Sequence, residues 1–215
     1  MSIRIVVADD HKLVRDGLCS LLEKQNGMEV VAETEDGRTT VQQVKKQSPD
    51  VVIMDISMHD LNGIDATRQI IAKSPGVKVL ALSIHSDRRF VTGMLSAGAS
   101  GYLLKDSGFT ELADAIRIVA SNQTYLSPRI AGIVTDDYVN RLTTTDSSVQ
   151  SVLTAREREV LQLIAEGKST KQAASQLNVS VKTIESHRLK MMEKLEIYSV
   201  AELTKYAVRE GLASL

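Results

Sequence analysis

Cysteine is almost absent from this sequence. Cys19 stands alone, so no internal disulfide can form. It falls inside a helical pattern and reads as a structural thiol. No apolar run is long enough to span a bilayer, which excludes a membrane-crossing helix, and no membrane partner is expected. The N-terminus lacks the signal-peptide pattern, so a cytoplasmic location is expected. An excess of one charge is missing too: the net charge is -1, and composition by itself does not announce a nucleic-acid partner. The charges are unevenly spread, however. The first half is acidic, and from Gln150 onward Lys and Arg slightly outnumber Asp and Glu. No internal repeat is visible. The 215 residues suit one or two domains.

What is present is a rhythm. Short apolar runs alternate with amphipathic stretches over the first 122 residues. Strands are predicted at 3–8, 30–34, 51–54, 77–83 and 101–104. Helices are predicted at 11–25, 37–47, 62–73, 87–97 and 110–121, the first carrying Leu13, Val14, Leu18, Leu21 and Leu22 at helical spacing. Five strand–helix units in alternation imply an α/β, doubly wound, five-stranded parallel sheet covered on both faces. The continuous apolar strands agree, since both faces of such a sheet are buried.

The strand ends carry the chemistry. The run 3–8 ends in Asp9-Asp10, the run 51–54 in Asp55, the run 77–82 in Ser83, and the run 102–104 in Lys105. In a parallel sheet these ends converge on the edge where such folds bind ligands. Three carboxylates in one crevice repel: two unit charges at about 4 Å cost about 4 kcal/mol at an effective dielectric near 20. A hard divalent cation relieves that cost, and Mg²⁺ is the natural choice for an all-oxygen site. Asp55 then reads as a phosphoryl-accepting nucleophile, Asp10 as a direct metal ligand and Asp9 as an outer or water-mediated one. Lys105 supplies a fixed positive charge and Ser83 a hydroxyl donor for phosphoryl oxygens. Each acid taken singly is ordinary strand-end punctuation. The set together is not.

Residues 123–150 read as a linker with a helix at 128–139, started by Ser127-Pro128. The stretch 143–148 lacks apolar periodicity. Residues 151–215 read as a small all-α domain of four helices. Thr154/Glu157, Ser169/Gln172 and Ser199/Glu202 fit capping boxes, and Ser180 caps the third helix. Asn178 tolerates a left-handed turn between the second and third helices, which together make a helix-turn-helix. The third helix, 181–195, turns Ile184, Met191, Met192 and Leu195 inward. Glu185, Ser186 and Leu189 become candidates for base edges in the major groove, and Lys182, Thr183, Arg188 and Lys190 for phosphates.

Asp9-Asp10, Asp55, Ser83, Tyr102 and Lys105 stand in the order and approximate spacing of a response-regulator receiver domain, which residues 1–122 resemble. The stretches 153–161, 165–169 and 181–188 closely resemble the LuxR-type helix-turn-helix of NarL/FixJ response regulators. The resemblance implies a flavodoxin-like sheet and a DNA-binding transcriptional regulator. It implies phosphorylation of Asp55 by a sensor histidine kinase, and a metal site completed by the Ser57 carbonyl. It further implies a switch in which Ser83 moves and Tyr102 rotates. A phosphorylation-promoted homodimer on double-stranded DNA would use the fourth helix, where Val200, Leu203, Tyr206 and Ala207 are compatible positions that could equally serve the core. One departure stands out: where the family often has proline four residues after the acceptor, this chain has His59. Ser57 and His85 occupy positions that tune acyl-phosphate lifetime in that family.

A different class is a metal-dependent phosphatase with an appended domain. Such an enzyme needs a second acid just after the nucleophile. Ser57 stands there instead, although Asp60 is near. A third reading is a receiver lookalike that binds DNA constitutively.

Overall fold

The structure is a computed structural model that describes residues 2–143 and 152–213. The chain divides into two compact units, Met1–Thr145 and Asp146–Leu215. Among the described residues no helix is long and apolar enough to cross a membrane.

The first unit runs β1 (Ile3–Ala8), α1 (Lys12–Leu22), β2 (Met28–Thr34), α2 (Gly37–Gln47), β3 (Val51–Met54), α3 (Gly63–Lys73), β4 (Lys78–Ser83), α4 (Arg88–Ser96), β5 (Gly101–Leu104), α5 (Phe109–Ala120), β6 (Tyr125–Leu126) and α6 (Pro128–Thr143). The strands form one parallel sheet in the order β2-β1-β3-β4-β5-β6. Alternation sorts the side chains to two faces. Ile5, Val7, Ile53, Leu80 and Leu103 pack with α1 and α5. Val6, Ala8, Val52, Met54, Val79 and Tyr102 pack with α2, α3, α4 and α6. Each fully buried aliphatic side chain in these layers contributes about 1.5–3 kcal/mol. Strands buried on both faces explain why the runs read as continuous apolar stretches.

Three features differ from expectation. The sheet has six strands and not five, because Tyr125–Leu126 pairs with Gly101 and Tyr102. Two residues are too few to show a period. The helix begun at Pro128 continues to Thr143 and belongs to the first unit, with Ile130 fully buried against α4. The part of the expected linker from 144 on lies outside the described residues. Finally, α1 turns only part of its apolar stripe inward. Leu22 is buried and Leu18 partly so, whereas Leu13 is 87% exposed, and Val14 and Leu21 are also exposed. Cys19 is buried beside Leu22; burial, with Glu33 adding to it, pushes its thiol up to about 12 and leaves it unreactive.

The second unit is four helices: α7 (Ala155–Ala165), α8 (Thr170–Gln176), α9 (Val181–Leu195) and α10 (Val200–Arg209). Capping boxes open α7 and α8, and Ser180 and Ser199 cap α9 and α10. Asn178 adopts φ 51°, the left-handed turn between α8 and α9. Ile184, Met191 and Met192 are buried in the core with Leu161 and Leu163.

Glu157 does more than cap. The residue is 3% exposed, and its carboxylate accepts from Lys194 Nζ at 2.7 and 2.9 Å and from the Thr154 N–H at 2.8 Å. Burial alone would raise its pKa. The hydrogen bonds from Lys194 and Thr154 and the lysine's charge outweigh burial and leave it lowered. A depressed carboxylate contributes stability that is present above its ordinary value of 4.5 and is lost as pH falls through the folded value. Lys194→Met is therefore expected to destabilise this unit by about 2 kcal/mol at neutral pH. The loss should shrink in acid, read as faster amide hydrogen exchange in α7 and α9.

Candidate functional site

The register of the sheet builds the first site. Ala8 pairs with Met54, so the residues that follow, Asp9 and Asp55, emerge side by side, and the Asp55 N–H donates to the Ala8 carbonyl at 2.8 Å. Ser83 pairs with Leu104, and the Lys105 N–H donates to the Ser83 carbonyl at 2.8 Å. The four strand ends thus deliver Asp9, Asp10, Asp55, Ser83 and Lys105 to one edge. Lys105 Nζ lies 2.7 Å from Asp9 Oδ2 and 3.1 Å from Asp55 Oδ1. Asp9 and Asp55 are 1% and 4% exposed.

Electrostatics at this edge are mixed in sign. Burial raises the Asp55 pKa; Lys105 pulls it down, Asp9 and Asp10 push it up, and the net displacement is upward. For Lys105, burial favours the neutral amine, but the charges of Asp55 and Asp9 and their hydrogen bonds prevail and hold the ammonium form. One lysine is shared between Asp9 and Asp55, with Asp10 beside them. Ligand atoms of Asp9, Asp10, His11 and Asp55 lie within 4.8 Å of one another. Asp10 Oδ1 is buried and accepts no hydrogen bond, although His11 Nδ1 is 2.7 Å away. A desolvated carboxylate oxygen with an unfilled lone pair is what a divalent cation satisfies, so the donor set fits a hard ion.

The loops around this edge are held from neighbouring elements. After Asp55, the chain is tied by Gly37 N–H to the Leu61 carbonyl (3.2 Å), by Gly63 N–H to the Ile56 carbonyl (2.9 Å) and by Arg38 to Asp60 (3.0 Å). Asp60 sits at φ 66°. These ties fasten a loop that has His59 where a proline would stiffen it, and His59 Nδ1 reaches to 3.7 Å from Asp10 Oδ2. Sequence reasoning missed Arg38 and His11. His11 was legible as a neighbour of the acid pair; nothing local pointed to Arg38.

His85 is the hub of the next loop. Its Nε2 is 2.9 Å from Ser57 Oγ, its N–H donates to Ser83 Oγ at 3.1 Å, and its carbonyl accepts from the Tyr102 hydroxyl at 2.7 Å. Its ring stacks on Phe90 with centroids 4.1 Å apart. Tyr102 is fully buried.

In the second unit, Lys182, Glu185, Ser186, Leu189 and Lys190 are exposed along α9, with Leu189 62% exposed. Thr183 and Arg188 are half-buried, and the Thr183 N–H donates to Ser180 Oγ at 3.1 Å. Arg188 lines a hollow of about 250 Å³ with Lys168, Ser169 and Thr170. That second basic edge, at the start of α8, was not singled out from sequence. At α10, Val200 is exposed and Tyr206 half-buried, with Arg209 5.3 Å over its ring. Leu203 is fully buried in the unit's core with Ala207, which removes both from any surface. They sit four apart on the helix and face α7.

An acidic crevice sharing a lysine at the end of a doubly wound sheet, joined to a capped helix-turn-helix, defines a receiver coupled to a DNA-binding domain. The comparisons agree with that class. Residues 5–117 match the response regulator receiver domain, and residues 151–207 match the bacterial regulatory proteins of the luxR family. The chain belongs to the LuxR-type response regulators. It is 37% identical to the transcriptional regulatory protein DegU of Brevibacillus brevis, over 97% of this chain and 94% of that one. It is 38% identical to the oxygen regulatory protein NreC of Staphylococcus carnosus, over 98% and 99%. Among solved structures, the two-component response regulator RcsB–DNA complex is similar with a TM-score of 0.60 at 25% identity, covering 97% of this chain and 98% of that one.

Proposed function

We propose that Asp55 accepts a phosphoryl group from a phosphohistidine of a sensor kinase, and that the acyl phosphate switches the chain to a DNA-bound homodimer. Residues 1–122 would form the phosphoacceptor domain, 123–150 the connection and 151–215 the DNA-binding domain. The observation that carries this reading is Lys105 Nζ bridging Asp9 and Asp55 at 2.7 and 3.1 Å. Asp9, Asp10, Asp55 and the Ser57 carbonyl would hold Mg²⁺, which when bound offsets the negative charge of an incoming phosphoryl group.

The chain's own residues then divide the work. Asp55 offers an oxygen nucleophile at the floor of the crevice. The Lys105 ammonium moves from Asp55 to a phosphoryl oxygen, keeping its charge paired. The Ser83 hydroxyl donates to a second oxygen, and Tyr102 follows it as the switch. The loop after Asp55 excludes bulk water, and Ser57 and His85 set how readily water reaches the acyl phosphate. Asp60 is engaged by Arg38 at 3.0 Å, which supports self-limited phosphoryl transfer over the turnover of a phosphatase. A regulator of this kind works in the cytoplasm.

A direct test treats the protein with acetyl phosphate and Mg²⁺, maps the modified residue by mass spectrometry and titrates operator DNA selected from random duplexes. Modification at Asp55 with at least tenfold tighter DNA binding is expected. Wild-type binding by Asp55→Ala under the same treatment would overturn the reading.

On DNA, α9 would lie in the major groove with Glu185, Ser186 and Leu189 toward bases. Lys182, Thr183, Arg188 and Lys190 would contact phosphates, joined by Lys168 just before α8 and Lys171 in its first turn. Lys182→Ala is expected to weaken binding alike on all sequences and to lower the salt slope by about 1. Glu185→Ala is expected to relax preference at one base pair, worth about 1–3 kcal/mol. Fluorescence anisotropy across a salt series checks both. Val200 and Tyr206 remain as dimer positions on α10.

A further inference from the structure

We infer that α6 is a latch closed against α4, and that phosphorylation of Asp55 opens it. This rests on the phosphoacceptor reading and adds how that site is read out. The latch has an apolar part and a charged part. Ile130 is fully buried in the same cluster as Val91 and Met94 of α4, and Ile133 and Val134 pack against it. Arg88, in the first turn of α4, forms an ion pair with Asp137 of α6, whose side chain is only 9% exposed. A carboxylate that deeply buried is costly to leave when its guanidinium moves away. The start of α6 is also anchored to the sheet, since the Ser127 N–H donates to the Tyr102 carbonyl at 3.1 Å.

The same α4 turn is wired to the phosphoryl site. Phe90, two residues after Arg88, stacks on the His85 ring at 4.1 Å. The His85 N–H is held by Ser83 Oγ, its carbonyl by the Tyr102 hydroxyl and its ring by Ser57 Oγ. A Ser83 hydroxyl turned toward a phosphoryl oxygen leaves the His85 N–H, and Tyr102 following it leaves the carbonyl. His85 then shifts, taking Phe90 and the first turn of α4 with it. Arg88 parts from Asp137, and α6 comes off α4. Because α6 leads on toward the DNA-binding unit, its release changes the tether on that unit. Coupling of this kind is reciprocal: opening the latch by mutation must favour phosphorylation by the same factor that phosphorylation favours opening.

The test is hydrogen exchange by mass spectrometry on the full chain, with and without acetyl phosphate and Mg²⁺, on peptides covering 128–139. Intact mass is read on the same samples. Phosphorylation is expected to speed exchange in that helix on the order of tenfold. Arg88→Ala and Asp137→Asn are each expected to exchange at the fast rate without donor, and to hold a ratio of phosphorylated to free Asp55 on the order of tenfold higher at the same subsaturating acetyl phosphate concentration. The charge-swapped double variant, Arg88→Asp with Asp137→Arg, is expected to restore both wild-type values, which mere loss of folding would not. A modified Asp55 with unchanged or slower exchange in α6 overturns the latch alone. So does a double variant that stays open. An unmodified Asp55 overturns the phosphoacceptor reading, and the latch with it.

Discussion

Lys105→Met is expected to slow phosphorylation by acetyl phosphate about 10²–10³-fold, the usual effect of removing one pre-placed donor to a developing oxyanion. The ammonium lies 3.1 Å from Asp55 and 2.7 Å from Asp9, so no other described cation is so placed. Its removal acts twice. The phosphoryl oxygens lose a positive partner, and Asp55 loses the one neighbouring charge that pulls its pKa down. Burial, Asp9 and Asp10 then push Asp55 further toward the protonated, non-nucleophilic acid. The stability effect has a definite sign. A carboxyl whose folded pKa is raised contributes stability fully present below its ordinary value of 3.8, and that contribution is lost as pH rises through the folded value. The variant therefore has its largest deficit against wild type at neutral pH, and the deficit narrows as pH falls and Asp55 protonates. Thermal melts from pH 4 to 8, beside initial rates of phosphorylation, check both halves. A rate within a few-fold of wild type, or a deficit that widens in acid, would show that Lys105 is not the partner of Asp55. Lys105→Arg keeps the charge but replaces a compact ammonium by a wide planar fork, and is expected to recover the melt more than the rate.

The convergence behind that prediction was legible because buried parallel strands advertise themselves as unbroken apolar runs, and the residue that ends each run is fixed at the sheet's edge. Asp9, Asp55, Ser83 and Lys105 could be brought together on that ground alone. Legibility fell away where a structure is not periodic. β6 is two residues long, and α6 follows a turn, so nothing in residues 123–143 declared that they pack within the first unit and not as a free connection. Along α1, spacing marked Leu13, Val14 and Leu21 as apolar, but the sheet is wide enough to cover only one edge of the stripe, and Leu18, Cys19 and Leu22 fill it. Periodicity gives a face; it does not say what lies opposite. The same limit governed α10, where Leu203 reads equally well as core or interface, and the small core beneath α7 claims it. Long-range ties such as Arg38 to Asp60 leave no local trace, because the two side chains meet only after α2 and α3 are packed.

Gly63→Ala is expected to be the most damaging change outside the charged residues. A Cβ at Gly63 would stand 2.0 Å from the Asp55 carbonyl oxygen and 2.9 Å from the Ile56 Cα. Both are backbone atoms, so no rotamer can yield. Either the first turn of α3 withdraws or the chain at Asp55 moves, and the Gly63 N–H to Ile56 carbonyl bond at 2.9 Å opposes both. Asn62 adds to the constraint by capping α3, its side chain accepting from the Asp65 N–H at 2.9 Å. A loss of about 3 kcal/mol is expected, at the upper end for overpacking against a fixed neighbour. Any folded fraction should also phosphorylate more slowly, because Asp55 is the residue displaced. Gly17→Ala makes the opposite case with the same methyl group. Gly17 lies exposed in the middle of α1 with nothing within 4 Å of its added Cβ, so the exchange is expected to stabilise by roughly 0.5–1 kcal/mol through the lower backbone entropy of alanine. Urea midpoints of the two variants, taken with phosphorylation rates at matched folded fraction, separate these effects. Stabilisation of the Gly63→Ala variant to the extent seen for Gly17→Ala would mean that helix propensity, and not the contact with Asp55, governs position 63.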